Sequence, residues 1–280
     1  MEIGDYNPLR INRFTDNGAY LIDEAAEEVL LPNKYVAKDF AIGDVVDVFV
    51  YTDSMDRNVA TTLKPLVKRG EFACLEVKDV SAHGAFMDWG LEKDLFVPFS
   101  EQEIKMKKGQ WALVYAYLDS ITKRVAASAR IHLFINRDLS MLEEGQEVDL
   151  IIGETTINGI RAIIDQKHLG LIYENEVFEE LLKGSHKKGF IKTIRPDGKI
   201  DLSLRKPGLE ALEEGAEKIM QTLRAQGGKL PLHDKSSPED IQAVLQMSKK
   251  NFKRSVGILY KQKLIELKGE EIILIDNSSS

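Results

Sequence analysis

A short pattern recurs three times along the chain, and few folds accommodate it. Asn17-Gly18-Ala19-Tyr20-Leu21-Ile22 returns as His83-Gly84-Ala85-Phe86-Met87-Asp88 and, more loosely, as Asn158-Gly159-Ile160-Arg161-Ala162-Ile163. The intervals are 66 and 75 residues, each enough for one small barrel. Every copy lies between two apolar stretches, such as Cys74 to Val80 before the second and Leu95-Phe96-Val97-Pro98 after it. A Gly-led strand with period-two alternation follows, Gly43 to Val50 in the first unit and Gly109 to Ala116 in the second. In the third unit Gly189-Phe190-Ile191-Lys192 is expected to take this place. A hairpin closes each unit, at Asp53 to Thr62, Asp119 to Ser128 and Arg195 to Leu204, the last with an Asp197-Gly198 turn. Each unit thus reads as about five short strands, and five strands remove their open edges by closing into an OB-type barrel.

The character changes after residue 208. Leu212, Ala216, Ile219, Met220 and Leu223 recur at helical spacing, and Gly227-Gly228 ends that helix. Ser237-Pro238 opens a second helix and Ser248 caps a third, each as an N-cap serine. Leu264 to Leu267 and Glu271 to Ile275 then form a hairpin about Lys268-Gly269-Glu270. Three helices and a hairpin make a winged helix. The fold class is therefore mainly β: three tandem five-stranded OB-fold barrels followed by an α/β winged-helix domain. The expected spans are 1–64, 65–132, 140–206 and 209–276, with linkers at Lys64-Pro65, Arg130 to Leu139 and Lys206-Pro207-Gly208, and a disordered tail after Asn277.

The net charge of −7 taken alone disfavours a polyanion, but its distribution reverses that reading. Residues 1–60 hold twelve acids and five bases, which accounts for the whole excess. From Lys183 to Lys206, eight bases face two acids, and from Gln246 to Lys268 seven bases face one, so each segment is formally +6. Local field decides polyanion binding more than the total does. One cysteine, Cys74, excludes an internal disulfide, and no signal segment or long apolar run is visible, so a cytoplasmic chain without membrane contact is expected. Phosphate-binding loops, Cys-x-x-Cys pairs and nucleophile elbows are lacking, and the histidines have no ligand spacing. No enzyme activity, cofactor or metal is expected.

Gly84-Ala85-Phe86-Met87-Asp88, Leu95 to Ser100, Lys108-Gly109-Gln110 and Arg124-Val125-Ala126-Ala127-Ser128 stand in the order and spacing of the S1 RNA-binding domain, which the second unit closely resembles. Three such units before a winged helix resemble the bacterial conserved virulence factor B family over nearly the whole chain. The resemblance implies an RNA-binding regulator, with a degenerate, acidic first barrel. It also implies contact positions: His83, Phe86, Asp119 and Arg124 in the second unit, and Arg161, Tyr173, Arg195 and Lys199 in the third. Tyr20 and Arg57 are the weaker equivalents in the first. Pro32 and Pro98 stand where the family carries a stacking histidine.

Single-stranded RNA needs planar faces for its bases and cations for its phosphates. Tyr173 with Lys192, Arg195 and Lys199, supported by Lys187 and Lys188, supplies both in the third unit, and Lys249, Lys250, Lys253 and Arg254 add charge on the third helix. The expectation is single-stranded RNA bound mainly by the third barrel and the winged helix, with the second assisting. Duplex DNA read by the winged helix, and docking to ribosome or polymerase through the acidic first barrel, are the alternatives. Nothing marks an oligomer, and a monomer is expected.

Overall fold

The computed structural model describes residues 1–174, 177, 180–205 and 209–275. The expected break at Lys206-Pro207-Gly208 and the tail after Asn277 lie outside them. Three closed five-stranded barrels precede a winged helix. Barrel 1 comprises β1 (Tyr6–Thr15), β2 (Gly18–Ile22), β3 (Glu28–Pro32), β4 (Val45–Thr52) and β5 (Asn58–Thr61). Barrel 2 comprises β6 (Phe72–Val80), β7 (Gly84–Met87), β8 (Leu95–Pro98), β9 (Trp111–Leu118) and β10 (Val125–Ser128). Barrel 3 comprises β11 (Glu147–Thr156), β12 (Gly159–Ile164), β13 (His168–Ile172), β14 (His186–Ile194) and β15 (Ile200–Ser203). In each, the first strand pairs with the second and fourth, and a parallel pairing of the third with the fifth completes the ring.

Alternation explains the cores. Leu9 and Ile11 of β1, Leu21 of β2 and Leu31 of β3 point inward and are buried, while their neighbours face out. Gly84 shows why glycine precedes Ala-Phe. A Cβ there would meet the Val97 carbonyl oxygen at 2.3 Å and the Phe96 ring at 2.8 Å.

The third unit departs from the expected register. A glycine with positive φ stands two residues before the long strand in every barrel: Gly43 (φ 98°), Gly109 (φ 79°) and Gly184 (φ 80°). Their N–H groups donate to the equivalent carbonyls of Ile11, Val77 and Ile152. Gly184, not Gly189, is therefore the leading glycine, and β14 begins at His186. A bulge between Ile191 and Thr193 absorbs one extra residue before the hairpin.

The barrels are packed against one another. Trp89 is buried between barrels 1 and 2, with Phe49 and Tyr51 edge-on to its ring at centroid distances of 5.8 and 6.3 Å. Barrels 2 and 3 share a second apolar seam that includes Phe72, Cys74, Leu113, Ile151 and Ile163. Across it the Gln166 amide both accepts from the Phe72 N–H (2.6 Å) and donates to its carbonyl (3.0 Å). Burial pushes the Cys74 thiol up to about 12. The segment expected as a linker, Arg130 to Leu139, is part of this seam. Ile131 is buried, and Phe134 stacks on Tyr115 at 4.2 Å.

The winged helix comprises α1 (Leu209–Ala225), β16 (Lys229–Leu230), α2 (Pro238–Leu245), α3 (Lys249–Lys261), β17 (Ile265–Lys268) and β18 (Glu271–Leu274). The Ser237 and Ser248 hydroxyls accept from the N–H groups of Asp240 and Asn251, as the capping pattern predicts. The short strand β16, which sequence reading did not anticipate, makes the hairpin a three-stranded sheet. No helix among the described residues is long and apolar enough to cross a membrane.

Candidate nucleic-acid interface

Register places one outward-facing row of side chains at the same position on each barrel. In barrel 2 it runs Phe86–Phe96–Ala126–Tyr117 across β7, β8, β10 and β9. In barrel 1 it runs Tyr20–Leu30–Val59–Tyr51. In barrel 3 it runs Arg161–Leu171–Asp201–Thr193. The same backbone therefore presents three chemistries.

The barrel 2 row lines an open cleft of about 460 Å³, within the ordinary range of ligand pockets. Phe86 and Phe96 are half-buried, with ring centroids 5.1 Å apart and planes tilted by 41°. Ala126 leaves a hollow between them and Tyr117. The exposed His83 joins the wall from the β6–β7 turn, and Tyr51, Thr52 and Trp89 close the side toward barrel 1. Burial pushes the Tyr117 hydroxyl up to about 12, so it remains a neutral platform at physiological pH.

Two cations stand on the rim. Arg124 is ion-paired with Asp56, and the Lys93 ammonium donates to the Asp53 carbonyl at 2.6 Å; both partners belong to the β4–β5 hairpin of barrel 1. Burial lowers the Lys93 ammonium from its ordinary value, and the Arg124 charge lowers it further. Asp119 caps its own hairpin. Its carboxylate accepts from the Thr122 N–H (2.6 Å) and hydroxyl (2.8 Å), and these bonds hold it below the usual carboxylate range.

Four of the expected residues, His83, Phe86, Asp119 and Arg124, thus meet in one cleft. Sequence reading missed Tyr51, Lys93, Phe96 and Tyr117, while Trp89, expected in the core, is buried there at the edge of the cleft. Phe96 and Tyr117 were accessible from the alternation of their strands, since each is in phase with outward neighbours. Tyr51, Trp89 and Lys93 depend on how two barrels dock, for which the sequence carries no local signal.

Barrel 3 gathers Tyr173, Arg195 and Asp201. The Arg195 guanidinium lies 5.8 Å from the Tyr173 ring centroid, donates to its hydroxyl and pairs with Asp201 at 2.8 Å. Lys199 pairs with Asp197 (2.9 Å), Lys188 with Asp149 (2.8 Å) and Arg161 with Glu154 (2.8 Å). Lys192 is exposed and Lys187 half-buried. In barrel 1, Arg13 lies 3.8 Å over the Tyr20 ring and Arg57 pairs with Asp53 at 2.7 Å. On α3, Lys250, Lys253 and Arg254 are exposed, and Lys249 reaches the Lys235 carbonyl at 3.5 Å. Among the described residues no cluster of three or more His, Cys, Asp or Glu side chains could hold a metal.

Comparison with known proteins agrees with this architecture. The S1 domain profile matches residues 3–63, and the CvfB-like winged helix domain profile matches residues 217–274. Both are nucleic-acid-binding domain types. The S1 match falls on barrel 1, although barrel 2 carries the fuller motif. YitL of Bacillus subtilis (strain 168) is 30% identical over 273 residues, covering 93% of this chain and 90% of that protein. Conserved virulence factor B of Staphylococcus epidermidis is 26% identical, covering 89% of this chain and 86% of that one. A crystal structure of a multidomain protein with nucleic acid binding domains from Streptococcus pneumoniae TIGR4 is 25% identical, covers 98% of both chains and superposes with a TM-score of 0.45. Barrel topology, the recurring Gly-Ala-aromatic strand, the CvfB-like winged helix and the two sequence relatives from Bacillus and Staphylococcus place the chain in the conserved virulence factor B family.

Proposed function

We propose that the chain is a single-stranded RNA-binding protein, and a regulator of gene expression, in which the barrel 2 cleft receives unstacked bases. The cations of barrel 3 and α3 guide the phosphate backbone. The observation that carries this reading is the row Phe86–Phe96–Ala126–Tyr117: three aromatic rings and a hollow, open on one face and walled by a neighbouring barrel. Flexible strands can splay bases into such a cleft, and each stacked base contributes about 1–3 kcal/mol, whereas a duplex keeps its bases stacked inside.

The sequence alone gives barrel 3 and the winged helix most of the affinity, with barrel 2 assisting; we infer a larger share for barrel 2, whose row carries three rings where that of barrel 3 carries none, and Arg195, Lys199, Lys188 and Arg161 each share an ion pair with a carboxylate. The Lys199–Asp197 and Lys188–Asp149 pairs are exposed, and such pairs are weak, roughly 0–1 kcal/mol, so phosphate can still compete for those two lysines. The chain would act in the cytoplasm as a monomer.

The test is fluorescence anisotropy with a labelled single-stranded RNA and a duplex of the same length, across a salt series. The single strand binds more tightly. Phe86→Ala weakens it about five- to a hundredfold with little change in salt slope, whereas Lys249→Ala with Lys253→Ala lowers the slope by roughly 0.7 per lost phosphate contact. Tighter duplex binding that is indifferent to Phe86 contradicts the reading and favours a winged helix that reads DNA.

A further inference from the structure

The rim of the barrel 2 cleft holds an arrangement that base stacking does not explain. Lys93 and Arg124 line the same cleft, and both reach the same neighbouring hairpin. The hairpin between β4 and β5 of barrel 1 reaches over and supplies oxygen to both. The Asp56 carboxylate takes the Arg124 guanidinium, and the Asp53 carbonyl takes the Lys93 ammonium. Two adjacent cations, each satisfied by a single protein oxygen from another domain, present what one phosphodiester with two free oxygens could bridge.

We propose that Lys93 and Arg124 form a phosphate subsite for the nucleic-acid backbone at the seam between barrels 1 and 2, and that Asp56 is its internal competitor. The proposal rests on the cleft receiving a strand. It gives the acidic first barrel a definite part: its hairpin occupies the subsite in the free protein and yields only to a ligand that also gains contacts on the aromatic row. An isolated phosphate or a polyanion without accessible bases gains nothing there to offset the broken pair, so the competitor raises discrimination at the expense of affinity. Asp56 sits at φ 64°, the left-handed turn position that Lys123 and Gly198 fill in the other two closing hairpins and that Asn and Gly also adopt without strain.

Asp56→Asn is therefore a clean variant, because it removes the charge while tolerating the turn. Anisotropy with a labelled single-stranded RNA at low salt is expected to show roughly two- to fivefold tighter binding to Asp56→Asn than to the natural protein, the size of one exposed ion pair, and the gain shrinks as salt screens it. Asp56→Gly gives the same gain if the charge is the cause. Asp39→Asn, which removes the same charge from an exposed position of barrel 1 that does not line the cleft, gives no comparable gain. In a background of Lys93→Gln and Arg124→Gln, Asp56→Asn has no effect. Unchanged or weaker binding by Asp56→Asn and Asp56→Gly, in a protein whose affinity still depends on Phe86, overturns the competitor and leaves the cleft reading intact. Indifference to Phe86→Ala overturns the cleft reading and the subsite with it.

Discussion

Barrels 2 and 3 share strand order and the outward row, yet one presents Phe86–Phe96–Ala126–Tyr117 and the other Arg161–Leu171–Asp201–Thr193. The difference separates the two requirements of single-strand binding. Barrel 2 has planar surface with two rim cations, while barrel 3 has abundant cations and little planar surface on its row. Barrel 1 completes the series. Its row is as apolar as that of barrel 2, but Val59 and Tyr51 are buried where Trp89 closes the seam, and Arg13 covers Tyr20. On the proposed reading a row of rings becomes a site only where docking leaves it open, and the total charge of a segment says little until its partners are known.

The largest expected effect is on the boundary between the covered and the open row. Trp89 is buried against Phe49 and Tyr51, so Trp89→Ala removes a large aromatic from a filled seam and is expected to lower unfolding stability by about 3–5 kcal/mol, read by urea titration. A loss under about 1 kcal/mol means that Trp89 does not seal barrel 1 against the cleft. A smaller effect sharpens the contrast between barrels 2 and 3. Arg161→Phe with Leu171→Phe transplants the aromatic pair onto the barrel 3 row. It is expected to tighten single-stranded RNA binding by about 1–2 kcal/mol, less than two full stacking contacts because Arg195 and Asp201 stay paired beside it. An unchanged affinity, with the fold intact by circular dichroism, means that the row position does not by itself define a base platform.

The fold was largely legible because its signals are local and repeated. The Gly-Ala-aromatic strand, the leading glycines at Gly43 and Gly109, and the serine caps at Ser237 and Ser248 all act within one turn or one strand. The third unit misled where two glycines compete: Gly189 lies inside β14, and only the hydrogen bond from the Gly184 N–H to the Ile152 carbonyl identifies the leading one. The two-residue strand β16 is too short for alternation to register. The site was legible in part. Phe86, His83, Asp119 and Arg124 come from the motif, and Phe96 follows once its register opposite Phe86 is known. Tyr51, Trp89, Lys93 and the Asp56 contact arise from packing between barrels, which no pattern within one repeat encodes. The +6 count for residues 183–206 omitted Asp149, and Glu154 likewise neutralises Arg161 from an adjacent strand.

In the proposed mode of binding, bases stack on barrel 2 while barrel 3 and the winged helix track phosphate. Photocrosslinking with a single-stranded RNA carrying 4-thiouridine, followed by peptide mapping, tests it directly because the reactive atom is on the base. Crosslinked peptides containing Phe86, Phe96 or Tyr117 are expected. Crosslinks confined to the peptides of Tyr173 to Lys199 and of α3, with none on β7, β8 or β9, would contradict it.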